Sequence, residues 1–161
     1  MSKLIVLASD NHYDYAAMEY IKNTHQNADY YFHCGDSELS DKELEGWYVV
    51  SGNNDYFATL PDELVIEVEG LRFLLVHGNR DKVNIDNHKT LIEHAKRCNC
   101  QVACFGHTHR VFDMEKDGIR LLNPGSTTFP RDGAIGKYML LYVDGNEIEV
   151  EIKDIPKEIY R

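Results

Sequence analysis

The sequence contains no long apolar run. None of its apolar stretches approaches the ~20 residues of a membrane-spanning helix. The first stretch, residues 4–8, is shorter than the hydrophobic region of a signal peptide. We therefore expect a cytoplasmic protein that has no membrane partner. No linker or internal repeat divides the chain, so we expect residues 1–161 to form a single domain.

Basic side chains are also few. The chain has 17 Lys and Arg against 27 Asp and Glu, which gives a formal net charge of −10. This charge repels polyanions and argues against binding along a nucleic acid. A small phosphate ester could still bind where a local cation site outweighs the overall charge.

Cysteine is scarce, and its spacing does not suggest a structural zinc site. We expect the four thiols to be reduced, because an intracellular chain of this size rarely forms disulfides. The C-x-C spacing of Cys98 and Cys100 differs from the usual C-x₂₋₄-C of zinc sites, and Cys104 lies inside a predicted strand. We therefore interpret Cys98, Cys100 and Cys104 as packing residues and not, together with His107, as a zinc site.

Five apolar runs have the length and composition of buried strands: residues 4–8, 30–34, 47–50, 73–76 and 102–105. Unbroken runs of this kind are typical of central strands that are covered on both faces. Two helical stripes lie between them: Ala17, Tyr20, Ile21 and Thr24, and later Leu91, Ile92, Ala95 and Cys98. Strand, helix, strand indicates a parallel sheet with right-handed crossovers.

Three further segments have the pattern of β-hairpins. They turn at Glu69-Gly70, Asp117-Gly118 and Asp144-Gly145. We expect their strands to form a second, largely antiparallel sheet. The predicted fold class is α/β or α+β, with two sheets packed face to face and helices outside. An edge strand near the C-terminus could support a homo-oligomer.

Polar side chains follow every one of the five apolar runs. They are Asp10 and His12, Asp36, Asn53 to Asp55, His77, and His107 with His109. The carboxyl ends of parallel strands share one rim, where ligands bind. Each group alone could be a turn, a helix cap or a structural histidine.

Together these strand ends predict a metal site. Imidazole, carboxylate and amide ligands without thiolate suit Mn²⁺, Fe²⁺, Ni²⁺ or Zn²⁺. Seven side chains are too many for one ion and suit two ions with a shared carboxylate. The seven are Asp10, His12, Asp36, Asn53, His77, His107 and His109.

The order D-x-H, GD, GN, H, GHxH resembles the calcineurin-like metallophosphoesterases. The segment Asn123-Pro124-Gly125-Ser126 makes the chain look most like their small bacterial and archaeal phosphodiesterase branch, the YfcE type. The similarity runs from residue 4 to about residue 131. It implies a four-layer fold, in which a two-sheet β-sandwich is flanked by helices, and a dinuclear site.

The same resemblance assigns a role to each candidate ligand. It implies that Asp10, His12 and His109 bind one divalent ion, Asn53, His77 and His107 bind a second, and Asp36 bridges them. Manganese is the expected metal, with nickel, iron and zinc as alternatives.

The implied activity is metal-dependent hydrolysis of a phosphate ester. We expect a phosphodiesterase in which a hydroxide held by two metals attacks phosphorus. The expected catalytic residues are Asp36, Asn53, Asn54 and His107. A phosphomonoesterase on the same two metals is the near alternative. A non-catalytic metal-binding scaffold is the contrasting one, as in a eukaryotic retromer subunit that resembles this family.

The sequence departs from the family pattern at two positions. Asn54 occupies the place where many members have a histidine that helps to protonate the leaving group. An amide cannot act as a general acid, and losing such help typically costs ~10²- to 10⁴-fold in rate. Asn79 occupies the last position of a segment that often reads H-G-H in relatives, a change that concerns substrate specificity more than metal binding.

The remaining cationic side chains give weaker signals. Arg80, Arg110 and Arg131 are close in sequence to the predicted ligand loops and could bind phosphate oxygens, although a plain surface role is at least as common. We expect His25, His88 and His94 on the surface and His33 packed inside a strand.

Overall fold

The structure is a computed structural model that describes residues 2–56 and 58–160. Its strands form two five-stranded sheets. The first sheet contains β1 (Lys3–Ala8), β2 (Tyr30–His33), β3 (Tyr48–Val49), β9 (Lys137–Asp144) and β10 (Glu147–Asp154). The second contains β4 (Glu63–Val68), β5 (Leu71–Val76), β6 (Val102–Cys104), β7 (Val111–Lys116) and β8 (Ile119–Pro124).

Each sheet has a parallel centre. In the first sheet the strand order is β10-β9-β1-β2-β3, and β1, β2 and β3 run parallel. In the second the order is β4-β5-β6-β8-β7, and β5, β6 and β8 run parallel. Parallel strands end at the same rim of a sheet, so the segments that follow them come close together.

All five apolar runs form strands, but their distribution differs from the prediction. Three lie in the first sheet and two in the second, and the β9–β10 hairpin joins the first sheet beside β1. The prediction of one parallel and one largely antiparallel sheet was therefore wrong. The pairing of β9 with β1 joins segments more than 130 positions apart, for example Leu7 with Met139. Local hydrophobic periodicity predicts strands but does not indicate which distant strands pair.

Alternating burial along the central strands produces the layers. Ile5 and Leu7 of β1 face the second sheet and pack in one cluster with Phe73 and Leu75 of β5. Val6 and Ala8 face the other way, in the cluster that contains Ile21 of the first helix. Since side chains alternate along a strand, a central strand can bury both faces only between two apolar layers.

Two helices cover the outer faces. Helix α1 (Tyr15–Thr24) begins after Asp14, whose Oδ1 accepts a hydrogen bond from the Ala17 amide at 3.2 Å. It buries Ala17, Met18 and Ile21, whereas the predicted stripe member Thr24 is exposed.

Helix α2 (Lys89–Arg97) packs on the second sheet through Leu91, Ile92 and Ala95, as predicted. The fold is thus helix, sheet, sheet, helix. Within the described residues, neither helix is long and apolar enough to cross a membrane.

Candidate metal centre

Five of the seven predicted ligands converge at the rim where the parallel strands end. Asp10 and His12 follow β1, Asp36 follows β2, His77 follows β5, and His109 lies beyond β6. They form two overlapping groups, Asp10 with His12 and His109, and Asp10 with Asp36 and His77. Within each group the ligand atoms all lie within 4.8 Å of one another.

The carboxylates and imidazoles are spaced for a shared cation. Asp10 Oδ1 lies 3.4 Å from His109 Nε2 and 3.8 Å from both His12 Nε2 and His77 Nε2. Asp36 Oδ2 lies 3.3 Å from His77 Nε2 and 3.7 Å from His12 Nε2. Ligands that sit ~2.0–2.2 Å from one ion are about 3–3.5 Å from each other. The observed spacings are close to that range.

The three imidazoles of these groups are held in one orientation. Each has an oxygen acceptor at Nδ1: Glu38 Oε2 for His12 at 2.8 Å, the Cys34 carbonyl for His77 at 2.7 Å, and the Phe129 carbonyl for His109 at 2.7 Å. An oxygen acceptor fixes the hydrogen on Nδ1 and leaves the Nε2 lone pair directed inward. The Nε2 atoms of His12 and His109 are 3.1 Å apart.

Two buried polar atoms at the centre have no hydrogen-bond partner within the described residues. They are Asp10 Oδ1 and His77 Nε2, and both side chains are almost fully buried. A buried polar group without a partner costs ~1–3 kcal/mol. A divalent cation between the carboxylates would satisfy both atoms, so this donor set fits a metal ion.

The electrostatics of the centre favour positive charge. Burial opposes ionisation of Asp10 and Asp36, but the neighbouring histidines, with Asn54 at Asp36, outweigh it and hold both pKa values below the usual range. Burial likewise opposes charge on His77, yet Asp36 and Asp10 raise its pKa. Burial, reinforced by His77, lowers the pKa of His107. Both carboxylates are therefore ionised at neutral pH, as metal ligation requires.

The backbone is strained at five of the predicted ligands. The φ angles are positive at Asp10 (56°), His12 (43°), Asp36 (56°), His107 (71°) and His109 (60°). A left-handed conformation is uncommon for residues other than glycine, and such strain persists only where the surroundings enforce it. Here the loops hold one another, since the Asp10 amide donates to the Gly35 carbonyl and the His12 amide to the Asp36 carbonyl, both at 3.0 Å.

Two glycines leave room for the carboxylates. A Cβ atom on Gly52 would collide with Oδ1 of Asp36, and a Cβ atom on Gly106 would collide with Ser9 Oγ and Asp10 Oδ2. The glycines of the G-N and G-H motifs are therefore required by space.

Sequence reasoning missed residues that position the ligands. Asp55 accepts hydrogen bonds from the amides of Asp36, Glu38 and Gly52 at 2.7–2.8 Å, and so ties the loops after β2 and β3 together. Its place after the third apolar run was visible in the sequence, but its role was not. The contact of Glu38 with His12 had no signal in the sequence.

The Asn123-Pro124-Gly125-Ser126 segment links the ends of both sheets. Asn123 Nδ2 donates to the Gly106 carbonyl at 3.1 Å, and Ser126 Oγ donates to the Asp10 carbonyl at 2.6 Å. The segment therefore fixes the position of the Asp10 loop relative to the loop that carries His107 and His109.

Three other predicted site residues, His107, Asn53 and Asn54, lie on loops beside the two groups, and Asn79 marks the second departure from the family pattern. The His107 amide donates to Asp10 Oδ2 at 3.0 Å, and its ring centroid lies 5.1 Å from that of His77. Asn54 bonds to Asp36 through its side chain, whereas Asn53 is exposed on the same loop. Asn79 lies in the turn after His77, where its carbonyl accepts from the Lys82 amide.

The predicted phosphate-binding arginines separate into two classes. Arg80 is more than half exposed and pairs with Asp62 at 3.1 Å. Arg110 and Arg131 line a cavity of about 350 Å³ together with His107 and Thr108. Arg110 Nε is buried there without a hydrogen-bond partner in the described part of the chain.

The predictions for the other histidines were partly wrong. His88 is buried and stacks on Phe112 at a centroid distance of 4.3 Å, and His94 is mostly buried between two carboxylates. His25 is half-buried and bonds to the Tyr138 hydroxyl at 2.8 Å. Tertiary contacts bury these three histidines, and their positions on or beside helices in the sequence did not indicate such contacts. His33 is packed as predicted, and burial lowers its pKa to about 4.

Comparison with known proteins places the chain in a family. The chain is 30% identical over 156 residues to the probable metallophosphoesterase YsnB of Bacillus subtilis, covering 93% of this chain and 90% of the relative. A predicted phosphoesterase from Streptococcus pneumoniae has a TM-score of 0.88 at 29% identity, covering 96% of this chain and 90% of its own.

Two more distant structures share the fold. A novel archaeal phosphodiesterase has a TM-score of 0.73 at 22% identity, covering 94% of this chain and 99% of its own. Vps29 of Entamoeba histolytica, complexed with Zn²⁺, has a TM-score of 0.74 at 18% identity, covering 94% and 98%. The profile of the calcineurin-like phosphoesterase superfamily domain matches residues 4–146. The chain belongs to this superfamily of calcineurin-like phosphoesterases.

Proposed function

We propose that this chain is a phosphodiesterase that binds two divalent metal ions. The observation that carries the proposal is the inward orientation of three imidazole Nε2 atoms around two ionised carboxylates, one of which has an unpartnered buried oxygen. When bound, the two ions would lower the pKa of coordinated water and neutralise the phosphoryl oxygens. We also propose that residues 1–161 act as one domain, because both sheets contribute ligands.

The proposed ligands follow the two overlapping groups. Asp10, His12 and His109 hold one ion, and His77, with His107 and Asn53 on the bordering loops, holds the other. Asp36 lies between them, because its Oδ2 faces both His12 Nε2 and His77 Nε2. We propose manganese as the ion, with nickel, iron and zinc as the alternatives to compare, because the ligands are nitrogen and oxygen without thiolate.

The cavity beside His107 supports a diester substrate. Its wall combines apolar side chains of Val83 and Ile85 with the guanidinium groups of Arg110 and Arg131. A diester has a second substituent that can occupy such a wall, whereas a phosphomonoester has none. The guanidinium groups would bind phosphate or other anionic oxygens of that substituent.

Asn54 limits which leaving groups can depart. Its side-chain nitrogen donates a hydrogen bond to Asp36, and an amide N–H is too weakly acidic to protonate a departing alkoxide. We therefore propose that the protein prefers diesters whose leaving group is stable as an anion.

A paired assay tests this proposal. Purified protein with Mn²⁺ is given bis(p-nitrophenyl) phosphate or p-nitrophenyl phosphate, and the metal content is measured. We expect cleavage of the diester, loss of cleavage in Asp36→Asn, and unchanged cleavage in Asp62→Asn, which alters an exposed carboxylate that pairs with Arg80.

The other outcomes separate the alternatives. Preferential cleavage of the monoester would indicate a phosphomonoesterase. Two bound ions with neither substrate cleaved would support a non-catalytic scaffold, and the absence of bound metal would contradict both the enzyme and the scaffold.

A further inference from the structure

A second group of metal-ligating side chains lies outside the candidate metal centre. Glu63 is the first residue of the edge strand β4, and His94 and Cys98 lie at the C-terminal end of α2. One ligand atom from each residue lies within 4.8 Å of those of the other two. Glu63 and Cys98 are separated by 35 positions, so the group exists only in the folded chain.

The helix places two of the three ligands on one face. His94 and Cys98 are four residues apart, and the Cys98 amide donates to the His94 carbonyl at 3.2 Å. Side chains at this spacing are neighbours on the helix surface. Glu63 approaches both from β4, with Oε1 at 3.0 Å from His94 Nε2 and Oε2 at 3.8 Å from Cys98 Sγ.

Asp81 holds the His94 imidazole in a metal-binding orientation. Its two carboxylate oxygens lie 3.0 and 3.1 Å from His94 Nδ1, and its side chain is only 9% exposed. A hydrogen on Nδ1 satisfies Asp81, and an ion bound at Nε2 would replace the hydrogen that Nε2 shares with Glu63 Oε1 at 3.0 Å. A carboxylate at the far nitrogen is the usual partner of a metal-bound histidine.

We propose that Glu63, His94 and Cys98 form a separate zinc-binding site that joins the edge strand β4 to the end of α2. Thiolate, imidazole and carboxylate are all zinc ligands, and three of them leave a fourth position for water. Glu63 is about half exposed, so an ion can reach the site from solvent. The thiolate favours zinc over manganese.

Neighbouring charges are compatible with a bound dication. Glu63 and Asp81 supply negative charge beside His94. Arg72, which donates to the Cys98 carbonyl at 3.1 and 3.3 Å, carries a positive charge that favours the Cys98 thiolate. Burial and Glu63 raise the pKa of the Cys98 thiol, so the thiol keeps its proton until a metal replaces it.

A bound ion would cross-link β4 to the C-terminal end of α2. Among the described strands, β4 forms the edge of its sheet and pairs with β5. An ion that binds the folded chain but not the unfolded chain stabilises the fold by an amount that grows with its free concentration.

Cobalt absorption tests the proposal, because the ligands proposed at the candidate metal centre include no thiolate. Mn²⁺-loaded protein is titrated with Co²⁺, and thiolate-to-cobalt charge transfer is followed in the near ultraviolet. We expect this band in the wild type and in Cys100→Ala, which removes a buried thiol two residues away. We expect Cys98→Ser to lack the band, and Glu63→Gln and Asp81→Asn to bind cobalt ~10- to 100-fold more weakly.

Zinc stoichiometry and activity complete the test. Cys98→Ser should bind one zinc ion fewer per chain than Cys100→Ala and should keep the wild-type rate of Mn²⁺-dependent diester cleavage. Circular dichroism establishes that each variant is folded. A wild type without the band at saturating cobalt, or a band that persists in Cys98→Ser, would overturn the site and leave the proposed phosphodiesterase untouched.

Discussion

Asn54 donates a hydrogen bond from its side-chain nitrogen to Asp36 Oδ2 at 3.1 Å, and its backbone amide donates to Asp36 Oδ1 at 2.9 Å. The residue at the expected leaving-group position therefore contacts the proposed bridging carboxylate. It stabilises the ionised carboxylate and lowers the pKa of Asp36, after His77. It cannot supply a proton to a leaving group.

Replacing Asn54 by histidine should therefore add a general acid. Asn54→His is expected to speed the cleavage of diesters with aliphatic leaving groups more than that of p-nitrophenyl diesters, up to the ~10²- to 10⁴-fold typical of such catalysis. The measurement is kcat/KM for both kinds of diester. Asn54→Ala serves as the control for losing the contact with Asp36. An equal acceleration of both substrates would argue against a missing general acid.

Glu38 should affect activity through His12, because it accepts the hydrogen bond from His12 Nδ1. Glu38→Ala is expected to weaken metal binding by about 10- to 100-fold, the usual effect of losing the partner of a metal-bound histidine. Glu38→Gln keeps an acceptor oxygen and should recover part of the affinity. Isothermal titration calorimetry with Mn²⁺ measures the metal affinity of both variants. Glu45→Ala, at an exposed glutamate in the following loop, should bind like the wild type. Equal Mn²⁺ affinities for Glu38→Ala and Glu45→Ala would contradict a role of Glu38 in metal binding.

Gly106 should be intolerant of a side chain for reasons of space. Its added Cβ would displace Ser9 Oγ and Asp10 Oδ2, so Gly106→Ala is expected to reduce metal content and diester cleavage together. Gly118→Ala is the contrasting variant. A Cβ atom added there would have no neighbouring atom within 4 Å, but the φ angle of +82° would be strained. This variant should cost about 1–2 kcal/mol of stability and leave metal binding intact. Normal metal content in Gly106→Ala would contradict the predicted collision.

Asp55 should contribute to the stability of the loops around the centre. Asp55→Ala would leave the amides of Asp36, Glu38 and Gly52 without their acceptor. A lost partner for a buried donor costs ~1–3 kcal/mol. Urea unfolding in the presence of a chelator measures this cost apart from metal binding. Asp55→Asn retains one acceptor oxygen and should lose less. If Asp55→Ala unfolded at the wild-type urea concentration, the hydrogen bonds would not stabilise the fold.

The sequence predicted those features that depend on residues close together in the chain. The meeting of Asp10, His12 and His109 at one rim could be predicted before the structure, since each follows a strongly apolar run and parallel strands end together. Their assignment to one ion came only from the family resemblance. The three hairpin turns could be predicted for the same reason, because each depends on a short turn motif, such as Asp117-Gly118 between β7 and β8.

What could not be predicted depends on contacts between distant segments. The pairing of β9 with β1, the left-handed backbone at Asp10 and His12, and the contact between Glu38 and His12 all arise from tertiary packing. The group of Glu63, His94 and Cys98 was hidden for the same reason. Spacing in the sequence relates Cys98 to the nearby cysteines and His107, whereas Glu63 reaches it from a strand 35 positions earlier.

Anomalous diffraction from crystals grown with Mn²⁺ tests the central claim most directly. The account predicts two manganese peaks roughly 3.5–4 Å apart. Asp36 should lie between them, with Asp10, His12 and His109 around one and His77 around the other. A single peak, or none at this rim, would contradict a dinuclear centre built from these residues.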